Sequence, residues 1–313
     1  MIHGLLLIDK PEGLTSNAVV GVIRRRLNRL VKVGHTGTLD PAASGLLVIL
    51  LGAATRALDF LDETKKHYRL TIRLGEKSDT CDREGQIAIT GDPRGLTLKE
   101  IDLCLKSFVG RSNQIPPHFS AIKIGGVPLY KLARKGVFPD LSIRPIEISR
   151  LSILEWVAPN LMVDLVCSKG TYARSLARDI GVRLRVGGRV ETLRRIASGR
   201  FNIEKSLDLE SVSNMSIDDM QKYLIPLSEA LEHISEIKTP EAIFSKLALG
   251  TQIDIKSAEP LNKQVAIDNP NAFYRIQDDH GKILILARTE HIENRVTLKP
   301  VKVFNLLSDA TIE

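Results

Sequence analysis

The chain has little of what would staple it covalently or anchor it in a membrane. Only three cysteines stand in its 313 residues, Cys81, Cys104 and Cys167, far apart and without a C-x-x-C pair. An odd, scattered set argues against a disulfide framework and against a zinc site, and a reduced, cytoplasmic protein is expected. Aromatic residues make up only 4%, so the core has to rest on Leu, Ile and Val, and each Tyr is worth following. Long apolar runs are missing as well. The run Leu5 to Ile8 meets Asp9, Lys10 and Pro11 too soon for a signal peptide, and nothing elsewhere approaches the roughly 20 residues of a membrane span. There is no internal repeat and no low-complexity tract. With 43% hydrophobic and 26% charged residues, a soluble globular protein with one large domain and a smaller one is expected.

What is present in excess is positive charge, a net +7, and it is clustered. Arg24, Arg25, Arg26, Arg29 and Lys32 form one group, and Lys169, Arg174, Arg178, Arg183, Arg185, Arg189, Arg194, Arg195 and Arg200 crowd a second. One such cluster reads equally well as a solvated helix face, but two of them flanking candidate chemistry favour a nucleic acid partner.

That chemistry lies between Gly34 and Gly52, G-H-T-G-T-L-D-P-A-A-S-G-L-L-V-I-L-L-G. The stretch sets an imidazole, two hydroxyls and the Asp40 carboxylate among glycines, then runs into apolar Leu46 to Leu51, which suits a buried strand. A loop fixed by such a strand yet reachable is a good place for a reactive acid. Asp40-Pro41 is also a good N-cap and N1 pair for a helix, although Gly45 and the apolar run leave little room for one.

Around this stretch the pattern predicts a strand over 4–9, a helix capped by Thr15 or Ser16 through about Leu27, a short helix over 55–61 and a half-buried strand over 67–74. The polar segment 75–85 reads as a loop, since its acids do not fit a calcium site. Thr97 and Glu100 form a capping box. Residues 113–144, broken by Pro and Gly and basic, look like a protruding arm. Strands over 146–156 and 161–167, a helix over 172–184 and a strand over 190–196 follow. A mixed helical stretch, a linker near 234–240 and a small β-rich appendix complete the chain.

Several of these segments resemble the bacterial tRNA pseudouridine synthase B (TruB) family. They are L-L-L-I-D-K-P-E-G from Leu5, G-H-T-G-T-L-D-P-A-A-S-G-L-L from Gly34, K-K-H-Y-R-L from Lys65, I-P-P-H-F-S-A-I-K from Ile115, L-Y-K-L-A-R-K-G from Leu129, C-S-K-G-T-Y-A-R-S-L-A-R-D-I-G from Cys167 and L-R-R from Leu193, in the family's order. The resemblance implies an α+β fold: a mixed, mainly antiparallel sheet flanked by helices, with a small C-terminal PUA-like β domain. The catalytic domain would take residues 1–236, with an RNA-gripping insertion at about 113–144, and the small RNA-binding domain residues 237–313.

The implied activity is isomerisation of uridine to pseudouridine at position 55, in the tRNA T-loop, on a flipped base. It requires no redox change and hence no cofactor or metal. By the same resemblance Asp40 is the essential acid, Arg174 pairs with it, Tyr68 packs on the target base, Tyr172 and Leu193 line the uracil pocket, and His35 faces the RNA. Lys10 and Lys169 are expected as phosphate or pocket contacts, and the family implies a monomer. Other classes remain in view: an RNA-binding or tRNA-folding chaperone without required catalysis, and a glycoside hydrolase in which Asp82 or Glu84 would supply a second carboxyl.

Overall fold

The computed structural model describes residues 2–306 except 63, 259–260, 262–264, 266–268, 270, 279 and 293–294. Strand β1 (Gly4–Lys10) is apolar through Ile8, and Thr15 caps helix α1 (Ser16–Arg26) by accepting from Ala18 N at 3.0 Å. Val19 and Ile23 turn inward while Arg24 and Arg25 stay in solvent. Strand β2 (Val33–Thr36) leads through the Asp40 loop into β3 (Ala43–Leu51). Leu46, Val48 and Leu50 pack on one face of β3, and Leu47, Ile49 and Leu51 on the other. Burial on both faces is why this run does not alternate. Where one short helix was expected over 55–61, there are two 3-10 turns, Gly52–Arg56 and Leu58–Phe60, interrupted at Ala57 where ψ is 1°.

Strand β4 (Lys65–Leu74) follows, then the ribbon β5 (Glu76–Ser78) and β6 (Ile87–Ile89), so the expected loop over 75–85 is a hairpin with structure of its own. The capping box starts helix α2 (Leu98–Lys106), and β7 (Gly110–Gln114) leads to the arm. The arm carries a small hairpin, β8 (Lys123–Ile124) with β9 (Val127–Pro128), and one turn of helix, α3 (Leu129–Ala133). Its ends are fixed while Val137, Phe138 and Ile143 remain exposed. Strands β10 (Arg144–Val157) and β11 (Asn160–Ser168), helix α4 (Ala173–Arg183) and strand β12 (Gly188–Ser198) complete the centre. Short elements close the body: β13 (Phe201–Asn202), β14 (Leu207–Asp208), α5 (Leu209–Asn214), α6 (Ile217–Gln221) and α7 (Leu227–Ala230).

The main sheet runs β14-β1-β3-β12-β4-β11-β10-β7, with β2 on β3 and β13 on β12. The β1–β14 and β3–β12 pairs are parallel, and the rest of the sheet is antiparallel. The β3–β12 pairing is short, joining only Ala43, Ser44 and Gly45 to Leu193, Arg194 and Arg195. Gly45 (φ +103) is needed there, because a Cβ would fall 2.3 Å from the Arg195 carbonyl oxygen. The loop bearing Asp40 opens directly above this junction.

A second sheet, β15-β17-β18-β19-β16, consists of β15 (Ser235–Glu236), β16 (Ile253–Asp254), β17 (Phe273–Gln277), β18 (Ile283–Ile292) and β19 (Arg295–Asn305), with helix α8 (Glu241–Ala248) beside it. The expected linker is therefore no free tether: β15 pairs with β17, and Ile234 and Ile237 are buried. The sheet docks on the β1–β3 half of the body, where Leu284, Leu286 and Phe304 share one core with Leu5, Leu7, Val48 and Leu50. The Phe273 and Phe60 rings meet edge to face at 5.4 Å. Among the described residues, no helix is long and apolar enough to cross a membrane.

Candidate active site

Helix α4 begins at Tyr172, whose backbone is clamped by the Gln114 amide: Tyr172 N donates to Oε1 at 2.8 Å, and Nε2 donates to Tyr172 O at 3.1 Å. This fixes the first turn and drives Arg174 into the body, where its side chain is 7% exposed. Its Nε lies 2.8 Å from Asp40 Oδ2, Nη1 donates to Thr80 O at 3.1 Å, and Nη2 donates to Phe119 O at 2.9 Å. Nη1 also lies 3.7 Å from Asp82. A rigid planar fork with every arm engaged can hold a carboxylate in one orientation, which a lysine could not.

Asp40 is positioned from both sides. Before it, buried Ser16 Oγ donates to Leu39 O at 3.0 Å and accepts from Leu39 N at 2.9 Å. After it, Pro41 O accepts from Gly13 N at 2.8 Å and from Lys10 Nζ at 3.4 Å. Lys10 is fully buried and also donates to Pro11 O and Leu14 O, so the expected phosphate or pocket contact is instead a staple for the loop. Burial lowers its ammonium to about 8, with the nearby Asp40 charge opposing the shift.

Asp40 and Arg174 line a pocket with Ala42, Ala43, Leu193, Val190, Glu191, Asp82 and Arg83. Leu193 thus forms an aliphatic wall, 9% exposed, facing the acid. Tyr68, half-buried on β4, packs against the core that contains Leu193. Burial raises both the Tyr68 and Tyr172 phenols above their ordinary value, and the Asp40 charge acts on each in the same direction. Arg195 opposes the shift at Tyr68. Tyr68, Tyr172, His35 and Lys169 are not among the residues lining the pocket. His35 is half-buried on β2 opposite Ile49, and Lys169 is exposed in the turn before α4.

Two residues at this site, Arg83 and Arg195, were not singled out from the sequence as site residues, and Asp82 entered only as a second carboxyl for a hydrolase. Asp82 is carried by the 75–85 hairpin and accepts from Thr80 Oγ1 at 2.5 Å and from Glu84 N at 3.0 Å. Nothing in the sequence separates it from Asp79, which only caps the turn at Thr80 and Gln86. Arg83 follows it at the pocket rim. Arg195 was read as part of a basic cluster, but it is 1% exposed and donates to Leu46 O at 2.7 Å and Gly37 O at 2.8 Å. Arg174 and Arg189 of that cluster are buried as well, and Arg194 holds Asp9 through both carboxylate oxygens. Much of the second cluster is therefore internal framework, its guanidiniums engaged by carbonyls and carboxylates of the body.

Residues 24–173 match the model of the TruB family pseudouridylate synthase N-terminal domain, and residues 174–232 that of the tRNA pseudouridylate synthase B C-terminal domain. The tRNA pseudouridine synthase B of Clostridium kluyveri is 39% identical over 305 residues, covering 97% of this chain and 100% of that protein. The protein of the same name from Syntrophotalea carbinolica is 46% identical over 244 residues, 77% of this chain and 79% of its own.

The chain belongs to the TruB family. The Asp40–Arg174 contact joins the two matched segments, Asp40 from the first and Arg174 from the second. The fold agrees. A chain of a Cbf5-Nop10-Gar1 complex superposes with TM-score 0.72 at 24% identity, covering 96% of this chain and 85% of that one. A chain from an H/ACA RNP bound to a substrate RNA containing 2'-deoxyuridine gives 0.70 at 23% identity over the same shares. The mixed, mainly antiparallel sheet with its C-terminal β domain is thus the pseudouridine-synthase fold.

Proposed function

We propose that this chain converts uridine to pseudouridine at position 55 in the T-loop of tRNA, acting on a flipped base with Asp40 as the catalytic acid residue. The observation that carries this reading is the 2.8 Å contact between Asp40 and buried Arg174, aimed into a pocket walled by Leu193. The isomerisation breaks the bond from C1′ of the ribose to N1 of uracil, turns the base and joins C1′ to C5. The proton on C5 leaves to water and N1, freed from the sugar, takes one up, so atoms and electrons balance without a redox partner.

Each residue then has a part. The Asp40 carboxylate bonds to the sugar or base, or steadies positive charge at C1′, while Arg174 keeps it ionised and aimed. Tyr68 stacks on the uracil, Tyr172 and Leu193 hold its edge and face, and His35 meets the RNA beside the loop vacated by the flipped nucleotide. Lys169, in solvent before α4, contacts phosphate. The 113–144 arm grips the RNA by shape, and the C-terminal PUA-like sheet adds contact area. The protein acts as a cytoplasmic monomer. Asp82, which accepts from two donors and faces Arg174, serves as a second acceptor for the guanidinium rather than as the proton donor a hydrolase would need.

An unmodified tRNA transcript carrying tritium at uracil C5 tests the reading. Label should appear in water with the wild type, disappear when position 55 is cytidine, and fall by roughly a thousandfold or more with Asp40→Asn. Undiminished release by Asp40→Asn would remove the assignment, and free ribose or base among the products would favour hydrolysis instead.

A further inference from the structure

Arg83 lines the Asp40 pocket, and its Nη2 lies 2.6 Å from Oε2 of Glu12. Glu12 comes from the turn between β1 and α1, and Arg83 from the β5–β6 hairpin. Both segments are firmly fixed. Gly13 N bonds Pro41 O at 2.8 Å, tying the Glu12 turn to the Asp40 loop, and Val190 N bonds Cys81 O at 3.0 Å, tying the hairpin to β12. The two side chains are looser: they are 37% and 40% exposed and share a single contact.

Arg83 thus edges a pocket whose free space amounts to only about 10 Å³, barely the room of one water. A uracil ring fits only after something at the rim has moved. An exposed, single-contact ion pair is a weak link and the part that gives first. Chemistry dictates what takes the place of Glu12. A flipped nucleotide brings a phosphate on either side, and phosphate offers a guanidinium the same oxyanion geometry with more acceptors. The other cations at the site are engaged by fixed groups: Arg174 by Asp40 and Asp82, Lys10 by three carbonyls, and Arg189 by Glu76 and Glu191.

We propose that Arg83 binds a backbone phosphate of the flipped nucleotide and that Glu12 holds it in place beforehand, as a carboxylate the RNA displaces. This rests on the uridine-isomerase reading above and adds a substrate contact to it.

The test compares wild type, Glu12→Gln, Arg83→Gln, Arg83→Lys and the Glu12→Gln/Arg83→Gln pair on the unmodified tRNA transcript. KM is read by tritium release and Kd by filter binding, each over a salt series. Glu12→Gln frees the guanidinium and should tighten binding by about two- to fivefold, whereas Arg83→Gln should weaken it by a similar factor. Arg83→Gln should also make the log Kd against log salt slope shallower by about 0.7, while Arg83→Lys keeps the wild-type slope. The double variant should follow Arg83→Gln. If the pair is only structural, both single glutamine variants shift binding in the same direction, and the proposal fails. It fails equally if neither changes Kd. A wild type that binds but releases no label would sink the isomerase reading alone, since the Kd series still tests Arg83.

Discussion

Arg174 and Asp40 form an asymmetric pair: the guanidinium is 7% exposed and held on three sides, whereas the carboxylate is 39% exposed and keeps an oxygen toward the pocket. The cation is framework and the anion is the tool. Changing Arg174 should therefore cost stability and activity together, while changing Asp40 should cost activity almost alone.

Arg174→Lys keeps the charge but not the fork, and leaves Thr80 O, Phe119 O and Asp82 without their shared donor. Urea unfolding should show a loss of about 3 kcal/mol, with single-turnover rates at least about a hundredfold lower. Asp40→Asn should stay within about 1 kcal/mol of the wild type in the same melts. If the two variants were destabilised equally, the division of labour would be wrong.

Lys10 gives a pH signature. Its folded value is about 8 and its model-peptide value 10.5. Below about 8 both folded and unfolded chains carry the proton, and the folded chain bears the cost of the buried charge. Between these values the unfolded chain still binds the proton and the folded one does not, so stability rises with pH across the window. Relative to Lys10→Met, the wild type should gain on the order of 2 to 3 kcal/mol from pH 8 to 10.5. A difference that stays flat with pH would show that the ammonium is not desolvated.

Burial raises the Tyr68 phenol, so it remains protonated through the neutral range. Tyr68→Phe should keep the pH–rate profile of the wild type in shape, with a rate within about tenfold, because stacking is retained. Tyr68→Leu should lose considerably more. An alkaline limb present in the wild type and absent in Tyr68→Phe would assign the phenol to proton transfer after all.

The small sheet should not be removable. Phe304 shares a core with Leu5, Leu7 and Leu50, so Phe304→Ala should cost about 3 to 5 kcal/mol, and a chain ending at residue 236 should bare that face and aggregate. A stable, soluble truncated chain with unchanged melting would count against a shared core.

Much of this was legible where a local pattern had a single physical reading. The Leu46 to Leu51 run, the cap at Thr15 or Ser16 and the Thr97–Glu100 box each marked an element, and the resemblance to the TruB family brought Asp40, Arg174 and Leu193 into one hypothesis. The buried cations were harder. Arg195 and Arg189 look like their solvated neighbours, and only strand register decides that they turn inward onto Leu46 O, Gly37 O and Glu76. Asp82 was in view only as a hydrolase carboxyl, and its place beside Arg174 was hidden for a similar reason: the chain turns at Cys81 with a positive φ of 61°, and a cysteine announces no such turn. Lys10 was read as a contact because lysine is rarely fully buried, and the three carbonyls that hold it come together only in the folded loop.

The short parallel β3–β12 junction also governs the order in which the protein becomes competent during synthesis. Gly37 and Arg195 meet across 158 residues, and β3 finds its β12 partner over a comparable span. Until the ribosome has released the later segments, the acid loop has its Ser16, Gly13 and Lys10 contacts but lacks Arg174 and the Leu193 wall. Such late, distant closures are slow and leave sticky intermediates. The site is therefore completed only when α4 and β12 have joined the sheet that β3 begins.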